Sequence, residues 1–297
     1  AKRLLPEIVE GTATAGGLTP EAAALTGLKP GTPITLGYVD VLCTGLGGGL
    51  YDPKGETGCT IVGSTGMHMK IAPSAQHVRL NAELSGYTMC FPVPGMYAQI
   101  QSNMASTLNI DWLLDVGRDV LATQGVEKSR GDLLNGLDAR VMAAEPARAI
   151  FHPYISQAGE RGPMMEPAAR AMFTGLELGM GFADMMRAVF EGLCFASRDC
   201  YSAMGDIPRE VRVTGGAARS QALRVMLASV LKAPVRSVQR EEAGAAGAAM
   251  MAAVQQKLYP DMNACVAEWV DPLLGPATEP DPSLSRLYDG AFGIYKE

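Results

Sequence analysis

The last third of the chain alternates strand and helix patterns, and this rhythm narrows the possible fold more than any other feature. A β-branched run at Glu210–Thr214 leads into a helical pattern over residues 220–232, a short strand pattern over 235–238 and a second helical pattern over 243–257. Alternation of this kind predicts an α/β layer architecture. The same reading applies upstream. The spacing predicts a strand over residues 33–38 with Asp40 at its C-terminal end, then a helix over 41–46. Strands over 59–62 and 67–71 flank the turn Gly63-Ser64-Thr65-Gly66, which reads as a β-hairpin. Helices are expected over 103–116 and 133–144, and a strand over 150–155. A long helix over 182–204 carries an apolar stripe at Met185, Ala188, Val189, Gly192 and Phe195, and a terminal helix is expected over 284–295. The first thirty residues read as a connecting segment with a short helix over 21–26.

Composition bounds the partners. With 297 residues the chain has length enough for a sizeable core, and its net charge of −6 argues against a nucleic acid or a membrane surface as partner. No run approaches the roughly 18 apolar residues of a membrane span, and the N-terminal stretch lacks the pattern of a signal peptide. Cys43, Cys59, Cys90, Cys194, Cys200 and Cys265 are scattered without a CxxC pair, so reduced and mostly buried thiols in a cytoplasmic protein are expected. His68, His77 and His152 lack metal-ligand spacing, and no metal site is expected among them.

Three segments have the form of ligand loops. In Val213-Thr214-Gly215-Gly216-Ala217-Ala218-Arg219-Ser220 a strand ends in paired glycines before a helix. Glycines let backbone approach a ligand closely, and a helix start offers unpaired N–H groups; a plain strand-to-helix turn has the same form. The turn Gly63-Ser64-Thr65-Gly66 can cradle phosphate oxygens through N–H groups and hydroxyls, or be a turn and nothing more. The Gly- and Ala-rich stretch 242–249 makes a smooth helix face suited to close helix packing.

Taken in order, these pieces resemble the FGGY carbohydrate kinases over residues 6–253. The most specific stretch, 171–191, holds Ala171, Phe173, Gly175, Leu176, Asp184, Met185, Ala188, Val189, Phe190 and Glu191 at the spacing of the family's second signature. Pro153-Tyr154-Ile155, Gly159-Glu160-Arg161-Gly162-Pro163, Pro167 and Arg170 precede it in matching order. The resemblance implies an actin-like ATPase (ribonuclease-H-like) α/β fold, a mixed sheet flanked by helices. It implies transfer of the γ-phosphoryl of ATP, with Mg²⁺, to a hydroxyl of a small sugar or polyol. A pentulose or a polyol such as erythritol is the favoured acceptor; a non-kinase actin-like ATPase or nucleotide sensor is the alternative.

By resemblance, Asp40 stands at the catalytic aspartate position, orienting the acceptor hydroxyl and taking its proton. Gly63, Ser64 and Thr65 align with a phosphate loop, Gly215 belongs to the paired-glycine turn, and Gly216 and Ser220 align with an adenosine-contacting pair. Thr107 and Asp111 lie on a helix that lines the nucleotide site in the family. Glu191 and Arg161 are expected to be structural, as an interior ion pair or cap. Two departures stand out. Val41 follows Asp40 where many relatives carry glutamine, and no Asp-x-Gly-(Thr/Ser)-(Thr/Ser) hairpin opens the chain. Residues 1–32 are therefore expected to be the end of a first domain plus connector, and 33–297 a C-terminal nucleotide-binding domain. Most of a sugar-binding N-terminal lobe would then be missing, with that lobe and a second copy of the chain as expected partners and the chain alone expected to be inactive.

Overall fold

In the computed structural model, which describes residues 9–297, the strand–helix rhythm becomes the parallel side of a six-stranded sheet. Strands β3 (Thr57–Val62), β9 (Glu210–Thr214) and β10 (Val235–Ser237) run parallel, while β4 (Gly66–Ala72), β6 (Tyr97–Asn103) and β5 (Tyr87–Cys90) continue the sheet antiparallel in the order β10-β9-β3-β4-β6-β5. The mixture follows from the connections. A three-residue turn, Gly63-Ser64-Thr65, joins β3 to β4, which forces antiparallel pairing, whereas the helix α7 (Gln221–Leu231) carries the chain from β9 to β10 as a crossover.

Strand periodicity divides the core into two layers. Val62, Val211 and Val213 pack against α3 (Thr107–Thr123), α5 (Leu137–Ala143), α6 (Phe182–Ala203), α7 and α10 (Pro282–Lys296). Cys59, Met69, Ile71, Ala98 and Ile100 face α2 (Asp40–Gly47), α8 (Ala243–Gln255) and α9 (Met262–Trp269) on the other side. The smooth face of α8 lies directly on α2: a Cβ at Gly247 would overlap the Cys43 carbonyl, and one at Gly47 would overlap that of Ala243. Only glycine allows this approach.

Several elements depart from their expected bounds. The expected helix over 103–116 starts at Thr107, because β6 occupies the residues before it. The expected strand over 33–38 narrows to β2 (Pro33–Thr35), which pairs with β1 (Thr14–Gly17) in a separate two-stranded sheet. Asp40 accordingly opens helix α2 rather than ending a strand of the main sheet. Gly136, at φ +67°, splits the expected helix over 133–144 into α4 (Arg130–Leu134) and α5. The strand expected over 150–155 is β7 (Ile150–His152), paired with β8 (Met172–Thr174); the segment 21–26 forms α1 (Pro20–Thr26), capped by Thr19. Helix α6 is buried well beyond its apolar stripe, Arg187 and Glu191 included, because α5 and α10 cover its remaining sides. Five cysteines are buried, Cys90 is exposed, and no helix among the described residues is long and apolar enough to cross a membrane.

Candidate functional site

The C-terminal end of β3 supplies the first part of the site. Its turn, Gly63 to Gly66, is held from below by the start of α3: the Thr107 backbone N–H and hydroxyl both donate to the Gly63 carbonyl, at 3.0 and 2.9 Å, and the Ser106 N–H donates to the Ser64 carbonyl at 2.8 Å. Ser64 and Thr65 are exposed at the tip. Beneath Gly66 lies a buried polar chain. Asn103 donates to the Gly162 carbonyl (2.7 Å), which leaves its Oδ1 to accept from His68 Nε2 (2.9 Å). His68 Nδ1 then faces the Thr60 hydroxyl (3.3 Å), itself bonded to Tyr201 (2.8 Å). Burial pushes the His68 imidazole down to about 4, so it is neutral at pH 7.

The end of β9 supplies the second part. Gly215 sits at φ +96°, where a Cβ would stand 2.7 Å from the Val62 carbonyl, so the turn requires glycine on both counts. At Gly216 a Cβ would meet nothing within 4 Å; this backbone faces open space. Ser220 caps α7, accepting from the Leu223 N–H at 3.1 Å, and its hydroxyl donates to Asp138 Oδ1 at 2.7 Å.

Four of the expected nucleotide residues, Gly63, Thr107, Gly216 and Ser220, line one cleft of about 290 Å³. Its walls are apolar, with Val62, Ile110, Leu134, Leu137, Phe190 and Ala217, and its other polar groups are Asp138 and Arg130. Gly215 is not in this lining; it lines a neighbouring cavity. Asp111 is not part of the lining; its Oδ1 accepts two hydrogen bonds from Arg130, at 2.6 and 2.8 Å, and so sets the guanidinium that is. Asp40 lies outside this lining, exposed on the first turn of α2, where its carboxylate accepts from the Val41 N–H at 2.7 Å. Asp138, Arg130 and Phe190 were not expected as cleft residues. Asp138 lies 82 positions before Ser220, and no local pattern joins the two.

The expectation for Glu191 and Arg161 divides. Glu191 forms an interior ion pair, but with Arg187, at 2.7 Å and one helical turn away. The buried carboxylate in the Gly-Glu-Arg segment belongs to Glu160, whose Oε1 accepts from the N–H groups of Met104, Arg161 and Gly162. Three backbone donors meet one carboxylate there, which makes Glu160 the loop's cap. Among the described residues no group of three His, Cys, Asp or Glu is arranged to hold a metal ion. A larger cavity of about 770 Å³ lies on the other side of the Gly216 turn and is lined by Arg219, Arg224 and Arg240. Two of these guanidiniums donate to the carbonyls of Ala218 and Trp269, which makes them parts of the scaffold.

Comparison with known proteins identifies the family and the fold. Residues 58–256 match the profile described as "FGGY family of carbohydrate kinases, C-terminal domain". An erythritol kinase of Brucella abortus (strain 2308) is 50% identical over 296 residues, covering all of this chain and 57% of that protein. The crystal structure of a xylulose kinase from Rhodospirillum rubrum superposes with a TM-score of 0.83 at 26% identity, covering 98% of this chain and 56% of the other. A gluconate kinase from Lactobacillus acidophilus superposes with a TM-score of 0.85 at 21% identity, covering all of this chain and 57% of the other. The chain therefore spans little more than half the length of the relatives it matches, and its fold is the actin-like ATPase fold, a mixed sheet flanked by helices. On the strength of a family match over two thirds of its length, the chain belongs to the FGGY family of carbohydrate kinases.

Proposed function

We propose that this chain is the nucleotide-binding half of an ATP-dependent sugar or polyol kinase, with a polyol such as erythritol as the favoured acceptor. The observation that carries the reading is the meeting of Gly63, Thr107, Gly216 and Ser220, from three separate segments, around one apolar cleft. An adenosine fits such a cleft as a flat apolar body with a few polar edges. Its phosphates would lie toward the Gly63–Gly66 turn, where the exposed Ser64 and Thr65 are available to them. The 50% identity to a protein described as an erythritol kinase favours a polyol over a pentulose acceptor.

In this reading Asp40 orients the acceptor hydroxyl and receives its proton. The hydroxyl oxygen forms a bond to the γ-phosphorus as the bond to the β–γ bridging oxygen breaks, and ADP leaves. Phosphoryl transfer asks mainly for alignment and charge stabilisation, so an exposed carboxylate on a helix start is adequate as acceptor of a late proton. Mg²⁺ would be carried by the nucleotide phosphates, in keeping with its preference for phosphate and water ligands over an all-protein cage.

The test is acceptor phosphorylation by a two-lobe form of the protein, followed by mass spectrometry across a panel of pentuloses, glycerol and erythritol. Erythritol phosphate is expected as the main product. Asp40→Asn is expected to keep ATP binding and depress turnover by roughly 10²-fold or more, the scale of a lost general base. ATP hydrolysis with no phosphorylated acceptor in the panel would favour the non-kinase ATPase reading instead.

A further inference from the structure

Ser220 has a single way left to meet a ligand, and Asp138 determines it. A serine hydroxyl has one O–H to donate and two lone pairs to accept with. The O–H goes to Asp138 Oδ1 at 2.7 Å, and one lone pair takes the Leu223 N–H at 3.1 Å. What remains toward the cleft is one lone pair, so Ser220 can accept a hydrogen bond there but cannot donate one. The other carboxylate oxygen of Asp138 accepts from the N–H groups of Gln221 (2.7 Å) and Ala222 (3.3 Å), the first two residues of α7. A helix start of this kind attracts anions, and here the anion is already supplied by the protein. A phosphate placed beside it would meet a like charge and find two of the helix's donors occupied.

Both consequences orient the ligand in the same sense, and we infer that Asp138 is a positioning residue that makes the α7 end of the cleft a nucleoside end. It fixes the Ser220 oxygen as an acceptor for a ribose hydroxyl or exocyclic amine and excludes phosphate from the helix start. This rests on the nucleotide reading of the cleft. The phosphates are left with the turn Gly63–Gly66 at the other side. Asp138 is itself held in place from the far end of α5, where Arg187 donates to the carbonyls of Val141, Met142 and Ala144.

The experiment is calorimetric titration of the 297-residue chain with ADP, using Asp138→Asn, Ser220→Ala and the double variant. Asparagine keeps one acceptor oxygen for the α7 N–H groups, and Asp138→Ser, which can also cap, serves as a second variant. Each single substitution is expected to weaken ADP by roughly tenfold, the scale of one lost hydrogen bond to a polar ligand. The double variant is expected to lose no more than Ser220→Ala alone, because Asp138 acts through Ser220. A purely structural Asp138 would instead multiply with Ser220→Ala to roughly a hundredfold loss, and that result overturns the proposal. So does an affinity within twofold of wild type in both Asp138 variants. ADP binding untouched by Ser220→Ala would overturn the nucleotide reading of this end of the cleft, and the role of Asp138 with it.

Discussion

Two adjacent glycines in the β9–α7 turn do different work. Gly215 is required by the fold, since its φ of +96° and the Val62 carbonyl at 2.7 Å both exclude a side chain. Gly216 is not required by the fold, since a Cβ there meets no neighbour. Gly215→Ala is therefore expected to lower stability by about 1–3 kcal/mol, the range for strained backbone, measured by urea denaturation. Gly216→Val should leave the urea midpoint close to wild type and abolish ADP binding by filling the cleft. Equal destabilisation by the two substitutions would contradict the assignment. His68 adds a pH signature. Its folded value is lowered to about 4 from an ordinary 6.5, so between these limits the unfolded chain binds the extra proton. Stability from this group is then complete above pH 6.5 and lost as pH falls toward 4, with an upper scale on the order of 3 kcal/mol. His68→Gln should show a shallower fall in urea stability than wild type between pH 6.5 and 4; parallel curves would exclude the buried neutral imidazole.

At the scale of elements, one ion pair joins three helices. Arg187 on α6 pairs with Glu191 at 2.7 Å, both nearly inaccessible, and donates through Nη1 to three carbonyls at the end of α5. Tyr288 of α10 donates to Glu191 at 2.9 Å, and the Ala147 N–H donates to the same carboxylate. Removing one partner leaves a buried charge alone, so Arg187→Met is expected to cost about 3–5 kcal/mol in a denaturant titration, and the double variant with Glu191→Leu less. A double variant as unstable as the sum of two independent losses would argue against a coupled pair. This pair also shows where the sequence was legible. The i,i+4 spacing of Arg187 and Glu191 is visible in the sequence, yet the expectation for Glu191 stops at an interior ion pair or cap, because burial of Arg187 depends on α5 and α10 arriving from distant segments. Strands β3, β4, β9 and β10 were readable from their β-branched and alternating residues. β6 was not: its alternation is confined to Ala98–Gln101, and Gln99, Gln101, Ser102 and Asn103 are polar yet buried, so the apolar signal is too short to mark a seven-residue strand. The turns around the cleft were legible from their glycines. Its carboxylate, Asp138, was not, because its partner is set by tertiary packing alone.

At the scale of the whole molecule, the relatives extend over nearly twice the length of this chain. The described residues offer a cleft, proposed above to take a nucleotide, lined by residues of the sheet ends, α3, α5 and the β9–α7 turn. Asp40 stands exposed on α2, outside the cleft lining. Transfer needs the acceptor oxygen in line with the γ-phosphorus and water kept away, and the rate gain from such fixed geometry is about 7–11 kcal/mol at most. On the proposed reading, the cleft supplies the nucleotide's share of that arrangement and the exposed carboxylate little of the acceptor's. Purified by itself, the 297-residue chain is therefore expected to bind ADP and to form no erythritol phosphate at millimolar erythritol, with mass spectrometry as the readout. Joining the lobe that completes the relatives' length, covalently or in trans, is expected to restore product, since domain closure then assembles the acceptor side and excludes water. The two measurements separate binding from alignment: ADP affinity should change little on adding the lobe, while product formation goes from none to multiple turnovers. Multiple-turnover product from the isolated chain would show that the acceptor site lies within these residues, and the division of labour argued from Asp40 and the cleft would have to be abandoned.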